Sequence, residues 1–257
     1  MRKSQNQKPA RRLTDYITPY GFNFVHSRKP WVVAFWSAMF PGYGHIMLCK
    51  YGLGLILVTW ETVINTLAGI NSAIFYSCIG QFELAKKALD KNWIFLYIGV
   101  YIFSIWDSYR RTIHLNNHYE IGYREKDNIF ISNMSLLELN VLEKREPILA
   151  LIWSLIVPGL GELYLHKFVT SAYFILWLSI VMKYSHIMPA MYCSFIGDFA
   201  QAKSLVNPQW LLFLPSIVGF NAYNSYVNTV QLNRVYEREQ AQYLKETYQD
   251  DKFEMPI

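Results

Sequence analysis

Residues 28–120 of this chain return without a gap as residues 145–237. The offset is 117 positions, and it aligns Arg28 with Arg145, Pro30 with Pro147, Trp36 with Trp153, Trp60 with Trp177, Trp93 with Trp210 and Glu120 with Glu237. Scattered tryptophans do not fall into register by accident, so the chain reads as two copies of one unit. Each copy holds three apolar runs, at residues 31–49, 52–70 and 93–106, then at 148–166, 170–188 and 210–220. Crossing a hydrocarbon layer of about 30 Å takes about 20 residues of helix, and flanking residues such as Tyr109 and Val227 bring the third run of each set to that length. With 53% hydrophobic and only 17% charged residues, the chain lacks the polar surface that water requires. Lipid is the expected solvent.

The first run of each copy is interrupted. "FPGYGHIMLCK" at 40–50 returns as "VPGLGELYLHK" at 157–167. A proline inside a helix costs about 3 kcal/mol and a glycine about 1, so Pro41, Gly42 and Gly44, like Pro158, Gly159 and Gly161, should break their run near its middle. A broken run can turn back, and the expectation is a re-entrant or steeply bent segment followed by two true spans, at 52 to about 72 and at 93 to about 110. Non-helical backbone at that depth is tolerated only where protein or a wet cavity covers it. The stretch Pro158-Gly159-Leu160-Gly161-Glu162-Leu163-Tyr164-Leu165 resembles an element of many small bacterial multi-pass membrane proteins, whose hairpins carry Pro-Gly-x-Gly, a polar residue, a Leu-Tyr-Leu-like stretch and a lysine or glycine. The first copy departs from it at Ile46-Met47. The resemblance implies an architecture and transfers no catalytic residue.

Basic residues indicate the topology. The N-terminal tail carries Arg2, Lys3, Lys8, Arg11, Arg12, Arg28 and Lys29, the linker Arg110, Arg111, Arg124, Lys126, Lys144 and Arg145, and the C-terminal tail Arg234, Arg238, Lys245 and Lys252. The excess of cations on all three predicts that they are cytoplasmic. Each unit then needs an even number of crossings, which gives four spans in parallel copies; six short spans in inverted copies would put the linker outside. The expected fold is therefore an all-α membrane protein with four to six transmembrane helices and an internal duplication, in the cell membrane, with cytoplasmic termini and no cleaved signal peptide. The expected division is a tail at 1–29, repeats at 30–120 and 147–237, a cytoplasmic linker helix within 121–146 and a tail at 238–257. Duplicated membrane units usually pack about a pseudo-two-fold axis.

Between the second and third runs, Ile79, Phe82, Ala85 and Leu89, and likewise Ile196, Phe199, Ala202 and Val206, recur at helical spacing, which predicts an amphipathic interfacial helix in each copy. Asn207-Pro208 reads as an N-cap with proline at the first helical position, matched by Asp90-Lys91. Ser135-Leu-Leu-Glu138 has capping-box spacing and predicts a linker helix to about Arg145. The polar stretch from Asn228 to Asp250 should prolong the last span as a solvated helix, where a membrane or cytoplasmic protein partner can dock.

No phosphate-binding loop, nucleophile elbow, metalloprotease helix or redox cysteine pair occurs, so the sequence argues against an enzyme, a cofactor and a metal site. Cys49, Cys78 and Cys193 are odd in number and lack C-x-x-C spacing. The +5 net charge lies beside apolar runs and not in an aromatic-interleaved patch, which argues against nucleic acid. His114 and His118 are four apart, the spacing of a metal pair, but their counterparts are Gln231 and Val235, and a solvated helix face explains them. What remains is a polar pathway of His45, Glu61, Asp107 and Glu162. His45 and Glu162 are counterparts that a pseudo-two-fold could bring together to exchange a proton or hold a cation. Glu61 sits deep in an apolar run and needs protein, water or a proton to offset its charge, and Asp107 has Arg110 and Arg111 beside it. The two function classes that follow are a non-enzymatic structural or accessory subunit in the bilayer and a transporter of protons or small solutes.

Overall fold

A computed structural model describes residues 15–18, 21–24, 26–124, 132–134 and 139–248. Among these the protein is overwhelmingly helical. The first broken run forms α1 (Pro30–Met39) and α2 (Tyr43–Met47), and its later counterpart forms α7 (Pro147–Ile156) and α8 (Leu160–Tyr164). The second runs are α3 (Tyr51–Ala68) and α9 (Phe168–Ser185), each followed by a short helix, α4 (Ile70–Cys78) and α10 (Ile187–Phe195). The helices expected at an interface are α5 (Phe82–Ala88) and α11 (Phe199–Leu205). The third runs begin the long helices α6 (Lys91–Arg124) and, after the single turn α12 (Pro208–Leu211), α13 (Phe213–Tyr248).

Two helices, α3 and α9, are by themselves long and apolar enough to cross a membrane, and a third candidate is α5 taken with α6 across an 85° bend. Helix α13 falls short by composition for a structural reason. Asn221, Asn224, Ser225, Asn228 and Thr229 lower its hydropathy, yet all five are buried inside the protein, where lipid does not meet them.

The Pro-Gly-x-Gly break does what the residue costs predict. Gly42 and Gly159 are left-handed, at φ 103° and 106°. A Cβ on Gly42 would lie 2.5 Å from the carbonyl of Gly54 in α3, and one on Gly44 would lie 2.3 Å from Ser37 Oγ in α1. The first glycine makes the turn and the second lets α2 fold back onto α1. The turn closes on itself, with Tyr43 N–H donating to Phe40 O at 3.1 Å and Lys50 N–H to His45 O at 2.9 Å.

Three expectations are corrected. The second runs stop at Ala68 and Ser185 instead of running on to about 72, because Gly69 and His186 take left-handed φ values of 67° and 54°. Asp90 N–H and Asn207 N–H then bond back to the carbonyls of Ala68 and Ser185 at 3.1 and 3.0 Å. The linker helix is absent where the chain is described. β3 (Ser132–Met134) pairs antiparallel with β4 (Leu139–Val141), a second hairpin beside β1 (Asp15–Thr18) and β2 (Gly21–Phe24), while 135–138 lie outside the described residues. One isolated helical turn fixes several dihedrals for a single hydrogen bond, whereas the Leu-Asn-Val alternation of β4 suits a pairing. Third, the halves do not meet through like surfaces. Phe40 and Tyr43 at the first break pack on Phe174, Trp177, Phe213 and Phe220 of the second half, with the Tyr43 and Phe220 rings stacked at 4.2 Å.

The domain bounds fall within helices, since α6 runs through 120/121 and α13 through 237/238. The start of the C-terminal helix is not solvated, because Leu232 and Val235 pack with Leu142 and Leu165. Helices α5 and α11 keep Ala85 and Ala202 inside while Phe82 and Phe199 are exposed, the amphipathic pattern that their sequences predict. Asn207 Oδ1 caps α12 through Gln209 N–H, and Asp90 Oδ1 accepts from Asn92 N–H.

Gly42→Ala combines left-handed strain with overpacking and should destabilise by about 2–4 kcal/mol in detergent unfolding. His186→Gly, at an exposed left-handed position, should instead stabilise by about 0.5–1 kcal/mol in the same assay, since the relief of strain exceeds the added backbone entropy.

Candidate functional site

All four residues of the expected pathway are buried: His45 and Glu162 on the short helices after the breaks, Glu61 in the middle of α3 and Asp107 in α6. They form three clusters and not one. His45 does not face Glu162, which corrects the pairing expected from a two-fold. Its Nε2 lies 3.2 Å from Asp107 Oδ2, while Asn224 Nδ2 donates to Glu162 Oε1 at 2.5 Å.

These pairs occupy the same register positions. The first half places His45 opposite Asp107, and the second places Glu162 opposite Asn224, so each half keeps one carboxylate but on opposite helices. The cations follow. Arg110 and Arg111 donate to Asp107 at 3.0 and 2.5 Å, one turn farther along the same helix. The counterpart of Arg111 is Asn228, which donates to Glu162 at 3.5 Å, and the charge there comes from Arg28, whose Nη2 reaches Asn228 Oδ1 at 3.2 Å. Burial lowers the pKa of the Arg28 guanidinium from its ordinary value, and nearby groups that include Glu162 push it back up. Sequence reading found the carboxylates but missed Arg28 as a structural cation. Its signal was the loss of arginine at 227 and 228 where the first half has Arg110 and Arg111.

Both arginines that precede the broken runs clamp a long helix. Arg28 N–H donates to Asn116 Oδ1 while Asn116 Nδ2 donates to Arg28 O, each at 2.9 Å, and Arg145 makes the same exchange with Asn233 at 2.8 and 2.7 Å. Arg145 also donates to the Tyr164 carbonyl and to Glu143. Beside it, Lys144 Nζ meets Glu237 at 2.8 Å, and that hydrogen bond raises the lysine pKa.

Glu61 anchors the third cluster. Asn65 Nδ2 and the Tyr97 hydroxyl donate to its Oε1 at 2.9 and 3.2 Å. Asn65 in turn accepts from Gln209 Nε2 of the second half at 2.8 Å, and Asn71 Nδ2 donates to Gln209 O at 2.9 Å. Gln209 thereby fills the gap left where α3 ends at Gly69. This cross-half lock escaped sequence reading, because Asn65, Asn71 and Gln209 correspond to Met182, Met188 and Asn92 and follow no repeat.

Two cavities open elsewhere. One of about 520 Å³ lies between α10 and α11, and one of about 320 Å³ lies where residues 26–33 meet α13, lined by Arg28, Lys29, Tyr223, Val227 and Gln231 among others. Neither is lined by His45, Glu61, Asp107 or Glu162. Among the described residues no three His, Cys, Asp or Glu side chains group as a metal site, and the cysteines are free thiols. No protein-family profile matches the chain, and neither does any curated protein or solved structure.

Asp107→Asn strands Arg110 and Arg111 and should cost about 2 kcal/mol in detergent unfolding. Adding His45→Glu recreates the second half's pair beside Arg111 and should recover about 1 kcal/mol or more, whereas His45→Glu alone, which sets two carboxylates together, should destabilise.

Proposed function

We propose that this protein is a non-enzymatic membrane scaffold made of two parallel copies of one unit. Four spans, α3, α6, α9 and α13, cross the membrane, and α1–α2 and α7–α8 enter and leave on the cytoplasmic side, where both termini and the linker lie. Ten residues of α1 extend about 15 Å, half of a hydrocarbon layer, which suits a segment that turns back. The end of α13 beyond Val235, which is exposed from Lys245 to Tyr248, is the contact for a membrane or cytoplasmic protein partner.

The observation that supports a scaffold over a transporter is the use made of the buried charges. Asp107, Glu61 and Glu162 each bond to neighbours that tie a broken segment or a helix end to a long helix, and neither cavity reaches them. Transport of a proton or small cation is the second reading. In its favour, Glu61 Oε2, Glu162 Oε2 and His45 Nδ1 are buried with no hydrogen-bond partner among the described residues.

Reconstituted in liposomes with an imposed pH gradient, the wild-type chain should leak protons no faster than empty vesicles, and Glu61→Gln and Glu162→Gln should change nothing. Proton flux in the wild type that either substitution abolishes establishes the transporter instead. Removal of residues 240–257 should leave the fold intact in detergent and eliminate partner capture from native membranes. A cysteine at Asp127 should resist an impermeant thiol reagent applied outside, and one at Asp90 should react; the reverse at Asp127 ends the four-span topology.

A further inference from the structure

The halves meet through unlike surfaces, so part of one surface of each kind is left uncovered among the described residues. The first half presents its break, with Trp36, Phe40 and Tyr43, to α9 and α13 of the second, where Phe213 and Phe220 are buried. The corresponding break residues of the second half are Trp153, Val157 and Leu160; on the receiving side of the first half, Leu57, in the position of Phe174, is buried within the chain, while Leu96 and Phe103, in the positions of Phe213 and Phe220, are open. Trp153, Leu96 and Phe103 are 45%, 49% and 44% exposed, whereas Phe213 and Phe220 are 2% and 0% exposed. The Gln209 lock is equally one-sided: Gln209 is buried against Asn65 and Asn71, while Asn92 and Met188 at the matching positions are exposed.

We infer that these two surfaces join one copy of the chain to the next. The second half's α7–α8 break of one molecule docks on α6 in the first half of its neighbour and repeats between chains the contact that already joins the halves. The inference rests on the proposed reading of the halves as copies of one unit. Contact between unlike surfaces closes into a ring when successive rotations complete a turn. Confinement to one membrane plane, with the same side of every chain cytoplasmic, sets the rotation axis along the membrane normal.

Charge points to a second copy as the occupant. Inside the chain, Lys29 lies across the 320 Å³ cavity from Val227 and Gln231, which are neutral. Between chains, the residue in the position of Lys29 is Glu146, and those in the positions of Val227 and Gln231 are Arg110 and His114. Both sides have changed together, from a lysine facing neutral groups to a glutamate facing cations. Glu146 and His114 are exposed, and Arg110 keeps a 48% exposed side chain beyond its bond to Asp107. Lipid alone would not favour this exchange on two distant elements.

The test uses full chains in which Cys49, Cys78 and Cys193 are replaced by alanine. Chains with Trp153→Cys and a first tag are co-expressed with chains carrying Phe103→Cys and a second tag, and the membranes are then treated with a bifunctional maleimide long enough to span the space of the two rings. Trp153 and Phe103 stand in the positions of Trp36 and Phe220, whose rings lie 5.4 Å apart within one chain. A cross-linked species with both tags is expected, well above the collision background set by Leu176→Cys in place of Trp153→Cys. Trp36→Cys with Phe220→Cys in a single chain should cross-link internally. If the internal cross-link forms and the mixed-tag species stays at background, the chain-to-chain interface is overturned and the contact between the halves stands; failure of the internal cross-link removes both. As a second measurement, the unmodified chain in lipid nanodiscs should contain more than one molecule, and Trp153→Ala should weaken self-association by about tenfold or more, the usual effect of losing an aromatic anchor. Single-chain particles of the wild type also overturn the inference.

Discussion

A helix that ends halfway through hydrocarbon leaves backbone amides and carbonyls that lipid cannot hydrogen-bond, and each costs several kcal/mol if left unmet. On the proposed topology, the rest of this structure answers that constraint. At the first break the chain keeps its bonds local, with Phe40 N–H reaching Trp36 O and Ile46 N–H reaching Gly42 O, each at 3.0 Å. It also encloses the break: Phe40, Pro41, Gly42, Tyr43, Gly44 and His45 are all buried. The cover is the aromatic cluster of the second half. In lipid such packing gains little from hydrophobic transfer, since acyl chains are as apolar as phenylalanine, so its contribution is close contact.

The buried charges follow from the same constraint. A short helix after the break must be held against a long one, and polar contacts supply the hold that apolar burial supplies in water. A buried ion pair is a weak source of stability because desolvation offsets most of the attraction, but removing one partner leaves a charge exposed to a low dielectric. That asymmetry explains why the pairs change together. Where His45 faces Asp107, the second half has Glu162 facing Asn224, and where Arg111 serves Asp107, Arg28 stands in through Asn228. Asp107 and Glu162 each have a cation or amide donors beside them, and Glu61 has the Asn65 amide and the Tyr97 hydroxyl.

The elements that sequence disclosed are those with a strong local cause. Pro41-Gly42 and Pro158-Gly159 announce the breaks through residue costs alone, and Asn207-Pro208 announces its cap. Local signals failed where context decides. The capping box at Ser135 is a real pattern, but the alternation that follows it at Leu139 found a strand partner. His186 gave no hint of a left-handed turn, because only its alignment with Gly69 implies one. The pathway residues were legible as buried charges, since an ionisable group in an apolar run is rare. Their partners were not, for hydrogen bonds between segments 62 residues apart, such as His45 to Asp107, leave no periodic trace.

The asymmetry between the halves completes this reasoning. Equal units that met face to face would need every contact residue to serve both sides, and the aromatic rings of Phe40 and Tyr43 would have to recur at 157 and 160. They do not; valine and leucine stand there, while the receiving rings Phe174 and Phe213 are leucines in the first half, at 57 and 96. Large rings therefore gather on one seam, where a break on one side fits a groove on the other. The counterpart surfaces, α7 around Trp153 and α6 around Phe103 and Trp106, remain partly exposed. Divergence on both sides of a seam is what head-to-tail packing permits and like-to-like packing forbids, because only in the former does each surface answer to a different partner.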